Sequence, residues 1–166
     1  MITVDEFMTT EPCTLRETDT INDARQIMTE KHIRHIPITD SENHVLGLVT
    51  QRDVLAATEP VLSLSTRSDA VAAQPDIRLS EIMIRNVSVI HQSVSLRRAA
   101  LHLQAHKYGC LPVVSDDRLV GIVTDSDFIS IAINLLEQAE LSEDEAEFEI
   151  EDTMDDLDLQ VVDEVQ

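Results

Sequence analysis

The sequence predicts a mixed α/β fold of the α+β class, built from two successive β-α-β-β-α units. Two observations carry this prediction. A seven-residue phrase, GLVTQRD at residues 47–53, returns as GIVTDSD at residues 121–127. The stretches before the two phrases also agree in pattern, pairing Met8 with Met83 and Pro37 with Pro112. An internal duplication is the simplest explanation, and it implies a small mixed sheet covered by helices in each half.

The first copy begins with a short extended segment, CTL at residues 13–15, followed by a helix. Thr20 and Asp23 form a capping-box pair at its start, ahead of an apolar helical stripe. Two short apolar strands follow, IPIT and VLGLVT, with a polar turn between them. A second helix is expected at or just after Thr50.

The second copy has the same order. Its extended segment is SVI at residues 88–90, and Ser95 caps a helix whose stripe begins at Leu96. The strands LPVV and LVGIVT come next, and a last helix is expected at or just after Thr124. These patterns give four ranges: repeat 1 at 1–57, a connector at 58–78, repeat 2 at 79–137 and an acidic tail at 138–166.

The net charge of −20 lies mostly in the tail, because residues 137–166 carry 14 Asp or Glu and no Lys or Arg. This composition predicts disorder, although its mixed acidic and apolar end can fold on a partner. The acidic balance argues against binding to nucleic acid or to anionic membranes. No apolar run is long enough for a membrane span and the N-terminus lacks signal-peptide features, so we expect a cytoplasmic protein.

The repeated TxxD has two interpretations that are compatible with each other. Thr50 with Asp53, and Thr124 with Asp127, satisfy the exposed amides of a helix start as ordinary caps. A strand end followed by free helix amides is also a place where phosphate binds, and a carboxylate one turn into the helix can accept bonds from a ribose diol.

The two halves resemble a tandem pair of CBS domains, or Bateman module, of the stand-alone bacterial type. The matching phrases are FMTTEP and IMIRNV, IRHIPIT and YGCLPVV, and GLVTQRD and GIVTDSD. The resemblance implies two β-α-β-β-α repeats related by a pseudo-two-fold axis, with two clefts that bind AMP, ADP, ATP or S-adenosylmethionine as a regulatory ligand. It also implies a homodimer and no required cofactor.

The resemblance implies a role for particular residues. Asp53 and Asp127 would hold ribose hydroxyls, with Thr50 and Thr124 near the phosphates. The base pocket of each cleft would use residues of the opposite copy. Asp127 would face Cys13, Ile33 and Arg34, and Asp53 would face Ser88, Tyr108 and Gly109.

The two clefts are expected to differ in charge. Arg52, with Arg34 and His35 nearby, supplies cations around Asp53, whereas Asp125 and Ser126 occupy the matching places around Asp127. We therefore expect the Asp53 cleft to bind AMP-like ligands more tightly. The alternative for the two arginines is a solvated surface role.

No pattern in the sequence indicates an enzyme or a metal site. The chain lacks GxSxG, HExxH and GxxxxGK[ST] sequences, and Cys13 and Cys110 are best explained as free thiols. His102 and His106 lie four residues apart but are expected to face solvent.

The leading hypothesis is a regulatory module that senses an adenosyl ligand and acts on an unidentified protein target. The alternative is a non-enzymatic dimerising scaffold whose acidic C-terminal tail binds a partner protein.

Overall fold

The computed structural model describes residues 2–64 and 77–157, with side chains at 2–58 and 77–141. The chain divides into a first unit, Met1–Asp125, and a second unit, Ser126–Gln166. A 3-10 turn at Val4–Glu6 precedes the regular elements, which are β1 Thr9–Thr10, α1 Ile21–Lys31, β2 His35–Thr39, β3 Val45–Thr50, α2 Gln51–Leu64, α3 Leu79–Ile82, β4 Ile90–His91, α4 Leu96–His106, β5 Cys110–Ser115, β6 Arg118–Thr124 and α5 Asp125–Leu157.

Each copy is built around one antiparallel strand pair, β2 with β3 and β5 with β6. All four strands lie where the sequence predicts them. The pairing register shifts after Ile38 in the first pair and after Val113 in the second, which are matched positions of the duplication. The two copies therefore share an irregularity as well as a pattern.

The predicted extended segments are only partly correct. In the first copy Leu15 makes an isolated parallel bridge to Ile38, and in the second copy Ile90 opens β4 and pairs in parallel with Val113. Neither CTL nor SVI forms a strand over its full length. Both segments make so few strand contacts that alternation in the sequence cannot define their bounds.

Each copy begins with a lead-in segment, residues 4–10 in the first and 79–84 in the second, that packs on the other copy. The sequence does not predict this exchange. The strand β1 pairs with β6, and Ile84 forms an antiparallel bridge to Leu48 with two hydrogen bonds of 2.9 Å. Val4 is fully buried and its amide donates to the carbonyl of Val94. The two lead-ins are thus exchanged between the copies.

The glycine of the repeated phrase allows this exchange. A Cβ atom on Gly47 would lie 2.9 Å from the carbonyl oxygen of Ile84 and 2.8 Å from the Met83 sulfur. At the matched position, a Cβ on Gly121 would meet the side chain of Met8. The glycine recurs in both phrases because another segment crosses directly over it.

The core of the first copy includes residues from the second lead-in. The buried face of α1 packs with strand residues of β2 and β3, with Val54 of α2, and with Leu79 and Met83. The α1 stripe is predicted by the sequence and confirmed. In the second copy the matched stripe, Leu96, Ala99 and Leu103, is also buried.

The predicted helix starts are confirmed. Thr20 and Asp23 form the expected capping box, and the Ser95 hydroxyl accepts a bond from the amide of Arg98. The helix α2 extends to Leu64, within the range 58–78 assigned to the connector, and residues 65–76 lie outside the described part of the chain.

The structure describes part of the acidic tail. The helix α5 extends through residues 138–157 of the tail, while residues 158–166 lie outside the described part. Leu, Glu, Ala and Gln are good helix formers, so this segment has helix propensity despite its charge. Among the described residues, no helix is both long and apolar enough to cross a membrane.

Candidate functional site

A cleft of about 810 Å³ lies within the first unit and is lined by residues of both copies. This volume is in the range of small-molecule sites. The lining residues are Arg34, His35, Leu48, Thr50, Gln51, Arg52, Asp53 and Leu55 from the first copy, and Ile84, Asn86, Val87, Ser88, Lys107, Tyr108, Gly109, Cys110 and Asp125 from the second.

The TxxD of the first copy forms one wall, at the junction of β3 and α2. The Asp53 carboxylate accepts a 2.9 Å bond from the Thr50 amide and a 2.6 Å bond from the Thr50 hydroxyl. The Asp53 amide donates back to that hydroxyl at 3.3 Å. Both carboxylate bonds use Oδ2, and Oδ1 has no hydrogen-bond partner among the side chains that the structure describes, those of residues 2–58 and 77–141.

This geometry supports the helix-cap interpretation of Thr50 without excluding the other one. The cap fixes the rotamer of Asp53 and places a half-buried carboxylate in the wall of the cleft. A carboxylate held in this way is available to accept bonds from hydroxyl groups of a ligand.

The opposite wall comes from the turn between α4 and β5. Lys107 ends α4 in the left-handed conformation, with φ of 56°, and Tyr108 is 40% exposed. At Gly109, a Cβ atom would lie 2.6 Å from Nε2 of His35. A side chain at this position would collide with the His35 ring, so glycine allows the two walls to approach each other.

The cleft contains charges of both signs. Arg34, Arg52 and Lys107 supply three cations, and Asp53 and Asp125 supply two carboxylates. With His35 neutral, the formal balance of the lining is one positive charge. Such a lining favours an anionic group in the ligand, provided the group lies near the cations.

Burial lowers the pKa of His35 below its usual value, and the charge of Arg34 acts in the same direction. The carboxylates of Asp125 and Asp53 oppose this effect. Desolvation is the largest influence, because a half-buried imidazolium loses hydration that its neighbours replace only in part.

Cys110 is the first residue of β5, lines the cleft and is 4% exposed. Burial raises its pKa to about 12, and the nearby Asp125 carboxylate adds to the effect. A thiol with this pKa remains protonated at neutral pH and is a poor nucleophile and metal ligand.

The structure brings together eight of the thirteen residues expected to bind ligand. These eight line the cleft with Asp53: Thr50, Arg52, Asp53, Arg34, His35, Ser88, Tyr108 and Gly109. The other five are not among its lining residues: Thr124, Ser126, Asp127, Cys13 and Ile33. Ile33 packs against the core of the first copy, and Cys13 is half-buried.

Two charged residues lie where the sequence does not place them. Asp125 is expected beside Asp127, but its backbone amide donates to the carbonyl of Gly109 and the residue lines the Asp53 cleft. Arg34 lines the same cleft, as the charge argument expects, although the resemblance also implied that it would face Asp127. Lys107 was missed, because a lysine at a helix end carries no sequence signal for a binding site.

The histidine pair on α4 is less exposed than expected. His102 is half-buried and its buried Nε2 has no hydrogen-bond partner in the described part of the chain, whereas His106 is exposed. The His106 ring stacks on Tyr108 with centroids 5.2 Å apart. No group of three or more potential metal ligands occurs among the described residues.

Comparison with known proteins identifies the family. A family model described as CBS domain matches residues 4–59 and again residues 79–134. The chain belongs to the CBS-domain family. Its two copies are therefore a tandem pair of CBS repeats, and the Asp53 cleft lies between the two repeats.

Solved structures of CBS-domain proteins resemble the chain over most of its length. A Vibrio cholerae structure, described as a candidate acetoin utilization protein (AcuB), is 46% identical, with a TM-score of 0.73 over 84% of this chain and 98% of that one. The CBS pair of MJ0100, in complex with 5′-methylthioadenosine and S-adenosyl-L-methionine, is 27% identical with a TM-score of 0.67, covering 81% of this chain and 98% of that one.

CBSX2 from Arabidopsis thaliana, in complex with AMP, is 25% identical with a TM-score of 0.67 and covers 81% of this chain and 98% of that one. Among curated proteins, a homoserine O-acetyltransferase from Methanococcus vannielii is 31% identical over 70% of this chain. The chain spans only 22% of that enzyme's length.

Proposed function

We propose that the chain is a regulatory module that binds an adenosyl ligand in the Asp53 cleft between its two CBS repeats. The observation that carries this proposal is the half-buried Asp53 carboxylate, fixed by Thr50 in a cleft with three cations. Structures of two similar CBS pairs hold adenosyl compounds, AMP in one and S-adenosyl-L-methionine with 5′-methylthioadenosine in the other.

The ligand would meet different residues along the cleft. The ribose diol donates to Oδ1 of Asp53, since Oδ2 is already occupied by Thr50. A phosphate group lies towards Arg52 and Arg34 near the start of α2, where helix amides also favour an anion. The base contacts Ser88, Tyr108 and Gly109 on the opposite wall, where backbone groups and an aromatic ring are available.

The charge balance favours a nucleotide over S-adenosylmethionine. S-adenosylmethionine carries a sulfonium cation, which would approach Arg34, Arg52 or Lys107, whereas AMP brings a phosphate to them. We therefore expect AMP to bind this cleft more tightly than S-adenosylmethionine. The Asp127 cleft, with Ser126 in place of Arg52, is expected to bind AMP more weakly.

The proposed role is binding and regulation rather than catalysis. Because the match covers 22% of the homoserine O-acetyltransferase, its name brings no reaction to this chain. Binding would regulate by favouring one arrangement of the repeats or subunits, to the extent that the ligand binds that arrangement more tightly.

We also propose a homodimer. Leu55 on α2 and Ile129 on α5 are matched positions of the duplication and are 56% and 60% exposed. Further along α5, Ile133 and Leu136 are 50% and 62% exposed, in a segment with no charged residue between Phe128 and Leu136. Apolar residues at this spacing form a stripe that a second copy of the chain would cover.

Calorimetric titration with AMP, ATP and S-adenosylmethionine tests the proposed function. Asp53→Ala should abolish AMP binding, whereas Asp127→Ala should leave the tighter site intact and serves as the matched control. Because Asp53→Ala also removes a helix cap, Asp53→Asn provides a variant of similar shape that lacks the charge. Saturable binding unaffected by either Asp53 variant would refute the assignment, and absence of binding by all three ligands would refute the function.

A further inference from the structure

His35 is a feature of the cleft that the duplication does not explain. It opens β2 opposite Thr50, and the matched residue opening β5 opposite Thr124 is Cys110. The second copy therefore has a buried, protonated thiol where the first has an imidazole. Only the imidazole can change its charge near neutral pH.

The groups around His35 come from several elements. Arg34 precedes it, Asp53 lies on α2, Asp125 begins α5 and Gly109 lies in the turn before β5. The Cys110 thiol lines the same cleft. Arg52 and Lys107 line the same cleft. Neither ring nitrogen has a hydrogen-bond partner among the residues that the structure describes.

In the free protein these surroundings keep the ring neutral at pH 7.5. Burial lowers the pKa of His35, and the opposing effect of the two carboxylates does not cancel it. The imidazole is therefore a polar, half-buried group in the wall of the cleft, and an additional anion in the cleft would favour its protonated form.

We propose that His35 takes up a proton when the cleft binds a phosphate-bearing adenosyl ligand, so that the cleft distinguishes ligands by their charge. This inference rests on the proposed function. A phosphate dianion at Arg34 and Arg52 in the same cleft stabilises the imidazolium through its charge, whereas uncharged adenosine does not. AMP affinity consequently rises as the pH falls through the neutral range.

The test is titration of the full chain with AMP at pH 7.5, in two buffers of different ionisation enthalpy. At this pH a phosphomonoester, with a second pKa of about 6, is already mostly dianionic. The dependence of the observed enthalpy on the buffer gives the number of protons taken up. We expect a measurable fraction of one proton per AMP, none with adenosine, and roughly threefold weaker AMP binding at pH 8.5 than at pH 7.

Two variants assign the proton. His35→Gln should abolish the buffer dependence, and His91→Gln, an exposed histidine outside the cleft, should retain it. If His35→Gln does not fold, the ring proton of His35 in the wild-type NMR spectrum gives its pKa with and without AMP. We expect AMP to raise this pKa and adenosine to leave it unchanged.

The outcomes separate this inference from the proposed function. AMP binding without proton uptake, or with uptake that persists in His35→Gln, overturns the role of His35 and leaves nucleotide binding intact. Equal proton uptake with adenosine overturns charge discrimination. Absence of binding by both AMP and adenosine refutes the proposed function, and the inference with it.

Discussion

Gly47→Ala is expected to destabilise the fold, because the lead-in of the second repeat crosses directly over Gly47. The added Cβ would lie 2.8 Å from the Met83 sulfur and 2.9 Å from the Ile84 carbonyl oxygen. The thioether can move, but the Ile84 carbonyl accepts a 2.9 Å bond from the Leu48 amide and is fixed by it. Removing this clash therefore requires β3 and the lead-in of the second repeat to separate at the bridge between Leu48 and Ile84.

The expected cost is about 2 kcal/mol, within the usual range for overpacking a well-packed site. For a chain of this size, such a loss lowers the melting temperature by about 4–8 °C. Thermal unfolding followed by far-ultraviolet circular dichroism measures the change. AMP binding should weaken as well, since Leu48 and Ile84 both line the cleft.

Gly121→Ala is the matched control. Its Cβ would mainly meet the half-exposed Met8 side chain, and the Thr9 carbonyl is more distant, at 3.1 Å. We therefore expect a smaller loss of stability than for Gly47→Ala. A double-mutant cycle should show that Met8→Ala relieves Gly121→Ala, whereas Met83→Ala relieves little of the cost of Gly47→Ala.

Two results would refute this reasoning. One is a melting temperature for Gly47→Ala within about 1 °C of wild type, which would mean that the crossing segment yields at little cost. The other is a larger loss for Gly121→Ala than for Gly47→Ala, which would mean that side-chain contact rather than the backbone carbonyl sets the cost.

Four further predictions concern single groups or segments. The pKa of His35 is lower in the folded protein than in the unfolded chain, so the free energy of unfolding should decline as the pH falls below about 6.5. Urea unfolding measures this decline, which should be weaker in His35→Gln. Cys13 should react with a thiol reagent in the native protein at pH 8 while Cys110, with its pKa of about 12, reacts only on unfolding; equal rates would contradict the burial of Cys110. Removal of residues 138–166 should leave AMP affinity unchanged, whereas loss of binding would place a ligand-binding role in the tail. Ile129→Lys should convert a dimer to a monomer in analytical ultracentrifugation, and an unchanged sedimentation coefficient would remove α5 from the interface.

Local patterns predict most of the first unit correctly. The four long strands follow from alternation and turn residues, and the starts of α1 and α4 follow from Thr20 and Ser95, because caps and periodicity are properties of neighbouring residues. The cap formed by Thr50 and Asp53 follows in the same way. Short contacts such as the Leu15 bridge do not, because a single paired residue has no period.

The composition of the cleft could be predicted only in part. The residues of the repeated phrase and its partners in the opposite repeat are recognisable from the resemblance, and eight of them meet in one cleft. Lys107 and Asp125 reach the same cleft through the turn after α4 and the end of β6, and nothing near them in the sequence indicates it. They add one cation and one carboxylate, so the lining gains two charges while its formal balance stays at one positive charge.

The amino-acid sequence alone reveals the duplication, the order of elements in each repeat and the residue types available for a ligand. It does not reveal which repeat each lead-in packs on or which charges share a cleft. Strand edges and crossing segments can pair with several partners far apart in the chain, and packing in three dimensions selects among them. Gly47 is an example of this difference. The recurrence of the glycine is visible in the sequence, but the reason for it is the carbonyl of Ile84, which lies close to Gly47 in the folded protein.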